Sequence, residues 1–227
     1  MEYWQTFENG EADDVGVFTA SFPATMPDGS RLRLPLRDLG AFAVAGFIAN
    51  QASFAVLDGL SAWLVEVARP FGAEIVVGLP TLGHLFGAAV ARGLGHANWV
   101  APGTTRKLWY EEALSVPLAS VTSPAAGRRL WLDPRLVPRL RARRVLLVDD
   151  VISTGASALA ALALLRAVEV RPVGICAAML QGERWAAMLP ADIPVRAVFA
   201  TPRFHGEVGG WAALPGTALP AHCAPFT

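Results

Sequence analysis

Lysine is all but missing from this chain. Of 19 basic residues in 227, only Lys107 is a lysine; the rest are arginines. Acidic residues also number 19, so no net field draws nucleic acid or an anionic membrane, and any anion site must be local. Cysteine is scarce. Cys176 and Cys223 are too few for a disulfide framework or a zinc site, and we read the chain as cytoplasmic. No uninterrupted apolar run reaches the ~20 residues of a membrane span. The nearest, LGAFAVAGFIANQASFAVLDGLSAWLVEVA, is broken by Asn50, Gln51, Asp58 and Glu66. The opening MEYWQTFENGEADD is acidic, has no apolar centre, and reads as neither a secretory signal nor a transit peptide. Residues 1–14 are expected to be a mobile segment.

What is present is apolar. At 53% hydrophobic the chain can bury one sizeable core, so a single domain is expected over residues 15–227, with its core at about 40–200. VFTASF and RLRLPLR flank MPDG, which predicts a hairpin within 15–37. That hairpin is a candidate cap, with 201–227 as a candidate addition to it. Residues 39–69 read as helix with a break near Asn50. Short apolar strands at 73–80, 97–102, 144–148, 173–180 and 194–200 alternate with helices at 83–94, 156–168 and 183–189. Strands apolar along their whole length, alternating with helices, predict an α/β fold: a parallel sheet flanked by helices. Residues 103–134 carry two strand-like runs, LSVPLASV and RRLWLD, and predict a projecting flexible hairpin loop.

The stretch RVLLVDDVISTGAS, residues 144–157, carries the chemistry. An apolar strand runs into Asp149 and Asp150, and a loop of small and hydroxyl residues then opens a helix. In parallel α/β sheets ligands bind beyond the carboxyl ends of the strands. The loop N–H groups, its hydroxyls and the positive end of the helix dipole make a phosphate cradle, and Gly155 permits the tight turn. Two carboxylates would repel that phosphate, so they must face sugar hydroxyls or a metal ion. The combination describes a ribose 5-phosphate pocket. Neither the Walker pattern nor the dinucleotide-binding glycine fingerprint is present.

VLLVDDVISTGAS resembles the phosphoribosyl pyrophosphate (PRPP) motif of the type I phosphoribosyltransferase family, with a look nearest the xanthine- and adenine-type purine enzymes. GLPTLGH (78–84) is placed like the family's pyrophosphate loop, which commonly holds a non-proline cis peptide. Arg106-Lys107 matches an Arg-Lys pair of the purine members, and FIANQASFAVLDGLSAWL resembles their base-binding segment. The resemblance implies that Asp149 and Asp150 hold the ribose diol and that Ser153, Thr154, Gly155, Ala156 and Ser157 hold the 5-phosphate. It implies that Thr81, Leu82, Gly83 and His84 meet the pyrophosphate through backbone N–H groups, together with Arg106 and Lys107, and that Asn50 and Gln51 meet the base. Asp149, Asp150 and Lys107 are the implied catalytic residues.

The implied activity is transfer of a phosphoribosyl group from PRPP to a nucleobase, with Mg²⁺ bound mainly through PRPP and no metal site of the protein's own. A homodimer is implied, with neither nucleic acid nor membrane as partner. Purine members of adenine type carry a Glu in the mobile loop, whereas TSPAAGRRL has no acid; Ser120, Thr122, Ser123, Arg128 and Arg129 are the donors there. The segment around Asn50 favours a 6-oxopurine. A PRPP-binding regulator without catalysis, or orotate as acceptor, are the alternatives.

Overall fold

The structure, a computed structural model, describes residues 2–9, 16–118 and 128–220. In chain order its elements are β1 (Phe7–Glu8), β2 (Val17–Phe18), β3 (Ser21–Thr25), β4 (Arg31–Asp38), β5 (Ala43–Ala45), α1 (Phe54–Ala68), β6 (Ile75–Gly78), α2 (Gly83–Gly93), β7 (Ser115–Pro117) and β8 (Arg129–Trp131). There follow α3 (Val137–Leu140), β9 (Val145–Ile152), α4 (Ala156–Arg166), β10 (Gly174–Gln181), α5 (Arg184–Met188), β11 (Val195–Thr201), β12 (Arg203–Glu207) and β13 (Gly210–Ala213).

The centre is a parallel sheet in the order β11-β10-β9-β6. Alternate strand residues feed two cores. Val76, Leu146, Val148, Cys176 and Ala178 pack with α1 and α2 on one face, and Ile75, Val77, Val145, Leu147, Ile175 and Ala177 pack with α4 and β8 on the other. Cys176 is a fully buried core residue. Both faces are covered, which is why these strands read as unbroken apolar runs.

Strand β9 does not stop at Val148, where the expected strand 144–148 ended. It continues through both acids to Ile152, because β10 keeps pairing with it: Ala177 opposite Asp149, Met179 opposite Val151, Leu180 opposite Ile152. The face alternation breaks at this level. Ala178 and Met179 both join the α1/α2 core, as do Val198 and Phe199 of β11. Strict alternation would send Asp149 and Asp150 to opposite faces; the break lets neighbouring side chains stay together.

Residues 39–53 are not helical. Ala43–Ala45 form a buried strand paired with β4 and β12, and a 3₁₀ turn over Ala49–Gln51 leads to α1, whose first N–H groups are capped by Ser53. Three small apolar residues have no period that separates strand from helix. Of the expected strand 97–102, only Val100 pairs, bridging to Val77 at the sheet edge.

The second layer is an antiparallel cap of β1-β4-β5-β12-β13-β2, with β3 paired to β4. Its hairpin turns at Pro27-Asp28-Gly29, where Asp28 Oδ1 accepts from the Ser30 N–H at 2.9 Å. Residues 201–213 join this cap through β12 and β13; residues 221–227 lie outside the described ones. The mobile segment expected at 1–14 is in part ordered. Trp4 is buried, its Nε1 donates to Gly46 O at 3.0 Å, and Phe7–Glu8 pair with β4. One apolar cluster runs from Trp4, Phe22 and Phe204 of the cap to Val148 and Met179 of the sheet. No helix among the described residues is long and apolar enough to cross a membrane.

Helix α2 lies unusually close to the sheet. A Cβ on Gly87 would sit 2.6 Å from the Gly78 Cα, so backbone meets backbone. Gly87→Ala gains ~1 kcal/mol in helix propensity, but overpacking against atoms that cannot rotate away costs about 1–3 kcal/mol. We expect the variant to be destabilised on balance, seen as a lower urea midpoint; an unchanged or raised midpoint would show that the helix can lift without cost.

Candidate active site

Three segments meet beyond the carboxyl ends of β6 and β9. The first is the turn after β6, where Pro80 and Thr81 are joined by a cis peptide and Gly83 begins α2. A Cβ on Gly83 would fall 2.6 Å from Asp149 Oδ1 and 2.9 Å from its Cα. Only a residue without a side chain lets the start of α2 lie directly on the acid. The first N–H groups of a helix lack partners within it and suit an anion; at this helix the Leu85 N–H already donates to Leu82 O at 3.1 Å.

The second segment is the acid pair. Asp149 is 5% exposed, and Asp150 is only partly covered. An open strand end was the expectation for both acids; it fails for Asp149, because continued pairing of β9 with β10 carries that residue into the interior. Asp149 Oδ1 accepts from the Asp150 N–H at 2.9 Å. Burial, then the charge of Asp150, pushes the Asp149 carboxyl well above the ordinary carboxylate range; Asp150 is also raised, chiefly by burial, against the pull of hydrogen bonds from its neighbours. The α2 dipole opposes this, yet a helix end contributes ~0.3–1 kcal/mol while burying an ion costs several. Burial wins. Both carboxyls are therefore harder to ionise than free ones, and a cation or a hydrogen-bonding ligand beside them would favour the ionised form.

The third segment is the loop into α4. Gly155 takes φ +83°, a left-handed conformation, and serves as the N-cap of α4. The Thr154 hydroxyl accepts from the Ala156 N–H at 3.4 Å, and the Ser153 hydroxyl accepts from Arg184 at 3.2 Å. Ser153, Thr154, Ala156 and Ser157 are all partly exposed, as a ligand cradle requires.

The other expected site residues are placed less directly. The His84 ring lies 3.0 Å from Pro102 O and edge-on to Trp99. Burial lowers its pKa, so the ring is neutral at pH 7 and acts as a strut between α2 and the segment leading to Arg106. Arg106 lies over the Trp131 ring at 5.3 Å and 3.6 Å from a Glu112 oxygen. Arg106, Lys107, Leu108 and Trp109 line a separate surface hollow, with Lys107 exposed. Trp109 donates to Asp133 at 3.0 Å under the Arg135 guanidinium, which anchors the loop. Asn50 is exposed on the 3₁₀ turn, and the Gln51 carbonyl accepts from Gln5. The hairpin expected to close is formed by β7 and β8, with Arg129 donating to Ser115; its tip, with Ser120, Thr122 and Ser123, lies outside the described residues. In the sequence Glu183 and Arg184 are marked only as a charged pair just past the end of a buried strand, and Phe42 carries no mark at all.

The turn into α2, the acid pair and the loop into α4 thus come together at the carboxyl end of one parallel sheet. The chain belongs to the phosphoribosyl transferase domain family, whose pattern matches residues 46–208. The adenine phosphoribosyltransferase of Xanthomonas oryzae pv. oryzae is 31% identical over 169 residues, covering 68% of this chain and 85% of that protein. That of Novosphingobium aromaticivorans is 39% identical over 118 residues, 48% of this chain and 59% of the relative's length. The adenine phosphoribosyltransferase structure from Rhodothermus marinus shares the fold with TM-score 0.52 at 22% identity, covering 65% of this chain and 81% of that one. The family match begins at Gly46, so cap strands β1–β5 lie outside it.

The diacid gives a pH signature. A carboxyl raised in the folded state binds its proton more tightly there than in the unfolded chain. Its stabilising contribution is complete below the ordinary value of 3.8 and is lost as pH rises through the raised one. Asp149→Asn removes that loss. The ligand-free variant should melt above wild type at pH 7.5, by ~2–4 °C for each kcal/mol, with the gap closing toward pH 4. Parallel melting curves across that range would contradict a raised carboxyl at buried Asp149.

Proposed function

We propose that the protein transfers the 5-phosphoribosyl group from PRPP to a purine base, releasing a nucleotide and pyrophosphate. The observation that carries this is the seating of Gly83 on Asp149. It supports a pyrophosphate at the start of α2, beside the acid pair, with the 5-phosphate in the 153–157 cradle. The adenine phosphoribosyltransferases to which the chain is similar support a purine acceptor.

In this reading Asp149 and Asp150 hold the ribose 2- and 3-hydroxyls, giving the buried acids the partners their desolvation demands. As the bond from C1 to pyrophosphate breaks, the developing positive charge on the sugar is stabilised by these carboxylates. Thr81, Leu82, Gly83 and His84 meet the departing pyrophosphate with backbone N–H groups, and Arg106 and Lys107 neutralise it. The cradle fixes the far end of the sugar, so binding energy there orients the reacting carbon. A base nitrogen then attacks from the face opposite the leaving group, with Asn50 and Gln51 on the base side. Closure of the 115–129 hairpin excludes water from the reacting carbon.

No group of three or more ligating side chains gathers among the described residues. Two carboxylates are hard oxygen donors and fit Mg²⁺ that arrives on PRPP, where the ion would supply charge neutralisation to the pyrophosphate. Cap and sheet act as one domain because a single apolar cluster spans both. We place the enzyme in the cytoplasm as a homodimer, for which fully exposed Leu108 and half-exposed Trp109 offer apolar surface.

Incubation with PRPP, Mg²⁺ and single bases should release pyrophosphate with a purine. Asp149→Asn and Asp150→Asn should each lower that rate by about 10²–10³ while folding normally. Wild-type turnover in both variants would sink the diol assignment.

Lys107 offers a second, independent check. It is the chain's only lysine, so amine labelling has just one target besides the amino terminus. A flexible ammonium suits an anion that must be gripped and then released. Labelling of Lys107, followed by mass spectrometry, should slow as PRPP and Mg²⁺ saturate the site. Equal labelling with the site full would remove it from the pyrophosphate contact.

A further inference from the structure

The 153–157 cradle contains no cation, yet it is read as holding a phosphate dianion. The positive group that touches it comes from a different element. Gly182, at φ +68°, ends β10 and turns the chain into α5, delivering Arg184 beside the loop. Its Nη2 donates to the Ser153 hydroxyl at 3.2 Å. Its guanidinium carbon lies 5.1 Å from the Phe42 ring centroid, so the cap holds it from behind.

A second arginine shares that ring and makes the contrast. Arg203 stacks on Phe42 at 5.2 Å and is paired by Glu183, with Nε donating to Oε2 at 3.1 Å and Nη2 donating to Oε1. Both Glu183 oxygens are thereby engaged. Among the described residues no carboxylate pairs with Arg184 in this way, and its Nε is buried with no hydrogen bond. A buried guanidinium N–H without an acceptor is costly. Here the group is fixed by stacking, is already bonded to the first residue of the cradle, and lacks only an anion.

We propose that Arg184 is the cationic partner of the 5-phosphate, closing the cradle from the cap side and coupling the cap, through Phe42, to occupancy of the loop. This rests on the PRPP reading of the loop and adds to it a residue outside the loop. The chemistry favours phosphate: a guanidinium gives a phosphate charge-assisted, planar hydrogen bonding that a helix end alone does not. The pyrophosphate is the poorer candidate, because its site lies on the Gly83 side of Asp149.

The test compares wild type, Arg184→Gln and Arg184→Lys by calorimetric titration with PRPP–Mg²⁺, ribose 5-phosphate and a phosphate-free purine nucleoside. Loss of a charged hydrogen bond predicts about 10–100-fold weaker binding of both phosphorylated ligands to Arg184→Gln. Nucleoside affinity should be unchanged, and Arg184→Lys should recover part of the loss. Unchanged ribose 5-phosphate affinity in Arg184→Gln overturns the proposal and leaves the PRPP reading intact. So does an equal loss for nucleoside and phosphorylated ligands, which would assign Arg184 to the base. A lysine variant no better than glutamine would reduce the residue to packing on Phe42 and likewise overturn it. If wild-type protein binds neither PRPP nor ribose 5-phosphate, the PRPP reading itself fails and takes this inference with it.

Discussion

The site depends on one close approach, that of Gly83 to Asp149. A helix start resting on a buried carboxyl is possible only if two conditions hold together. The residue at the contact must lack a side chain, and the helix must be able to come down onto the sheet. Gly83 meets the first, and the Gly78–Gly87 contact meets the second. These glycines set where an anion at the head of α2 would lie relative to the acids of β9. A lift of even an ångström would separate two groups that the proposed reaction needs at adjacent atoms.

Burying Asp149 under that helix has an energetic consequence. The carboxyl is stranded among apolar neighbours, with a second acid beside it and no cation bonded to it among the described contacts. The ligand-free protein carries this as lost stability above the ordinary carboxylate range. A ligand that supplies hydroxyls and a cation removes the cost, so part of its binding energy is already stored in the fold. Arg184 is the cationic counterpart beside Ser153, at the start of the loop, with a buried Nε short of one acceptor among the described residues. One precedes the five-residue cradle on β9, and the other touches its first residue from α5. That arrangement suits an elongated ligand with a diol near one end and a phosphate at the other.

Most of the cap lies outside the residues matched by the family pattern, which reach only its strand β12. Strands β1–β5 precede the matched region, and β12–β13 return from the far end of the chain to pair with them. Gln181 at the end of β10 donates to Ala45 O at 2.6 Å, and Phe42 lies under both Arg184 and Arg203. The cap is thus bonded to the carboxyl end of the sheet, beside the phosphate loop and not at the opposite pole.

Local chemistry was legible in the sequence. Apolar runs alternating with helical periods gave the parallel sheet, because residues buried on both faces must be apolar whatever their neighbours are. Pro27-Asp28-Gly29 gave a hairpin, because those residues fix a turn without help. The acid pair followed by Ser153–Ser157 gave a strand running into a tight turn and a helix, because the motif is continuous. What needed the tertiary structure were facts that depend on who stands opposite. The extension of β9 to Ile152 and the burial of Asp149 follow from pairing with β10. The strand at Ala43–Ala45, read as helix, exists because β4 and β12 flank it. The packed start of the chain follows from a pocket for Trp4. Arg184 looks like any surface arginine until Phe42, brought from more than a hundred residues away, holds it against Ser153. Motifs are written in consecutive residues and can be read alone, whereas burial and charge pairing are properties of neighbours that only folding supplies.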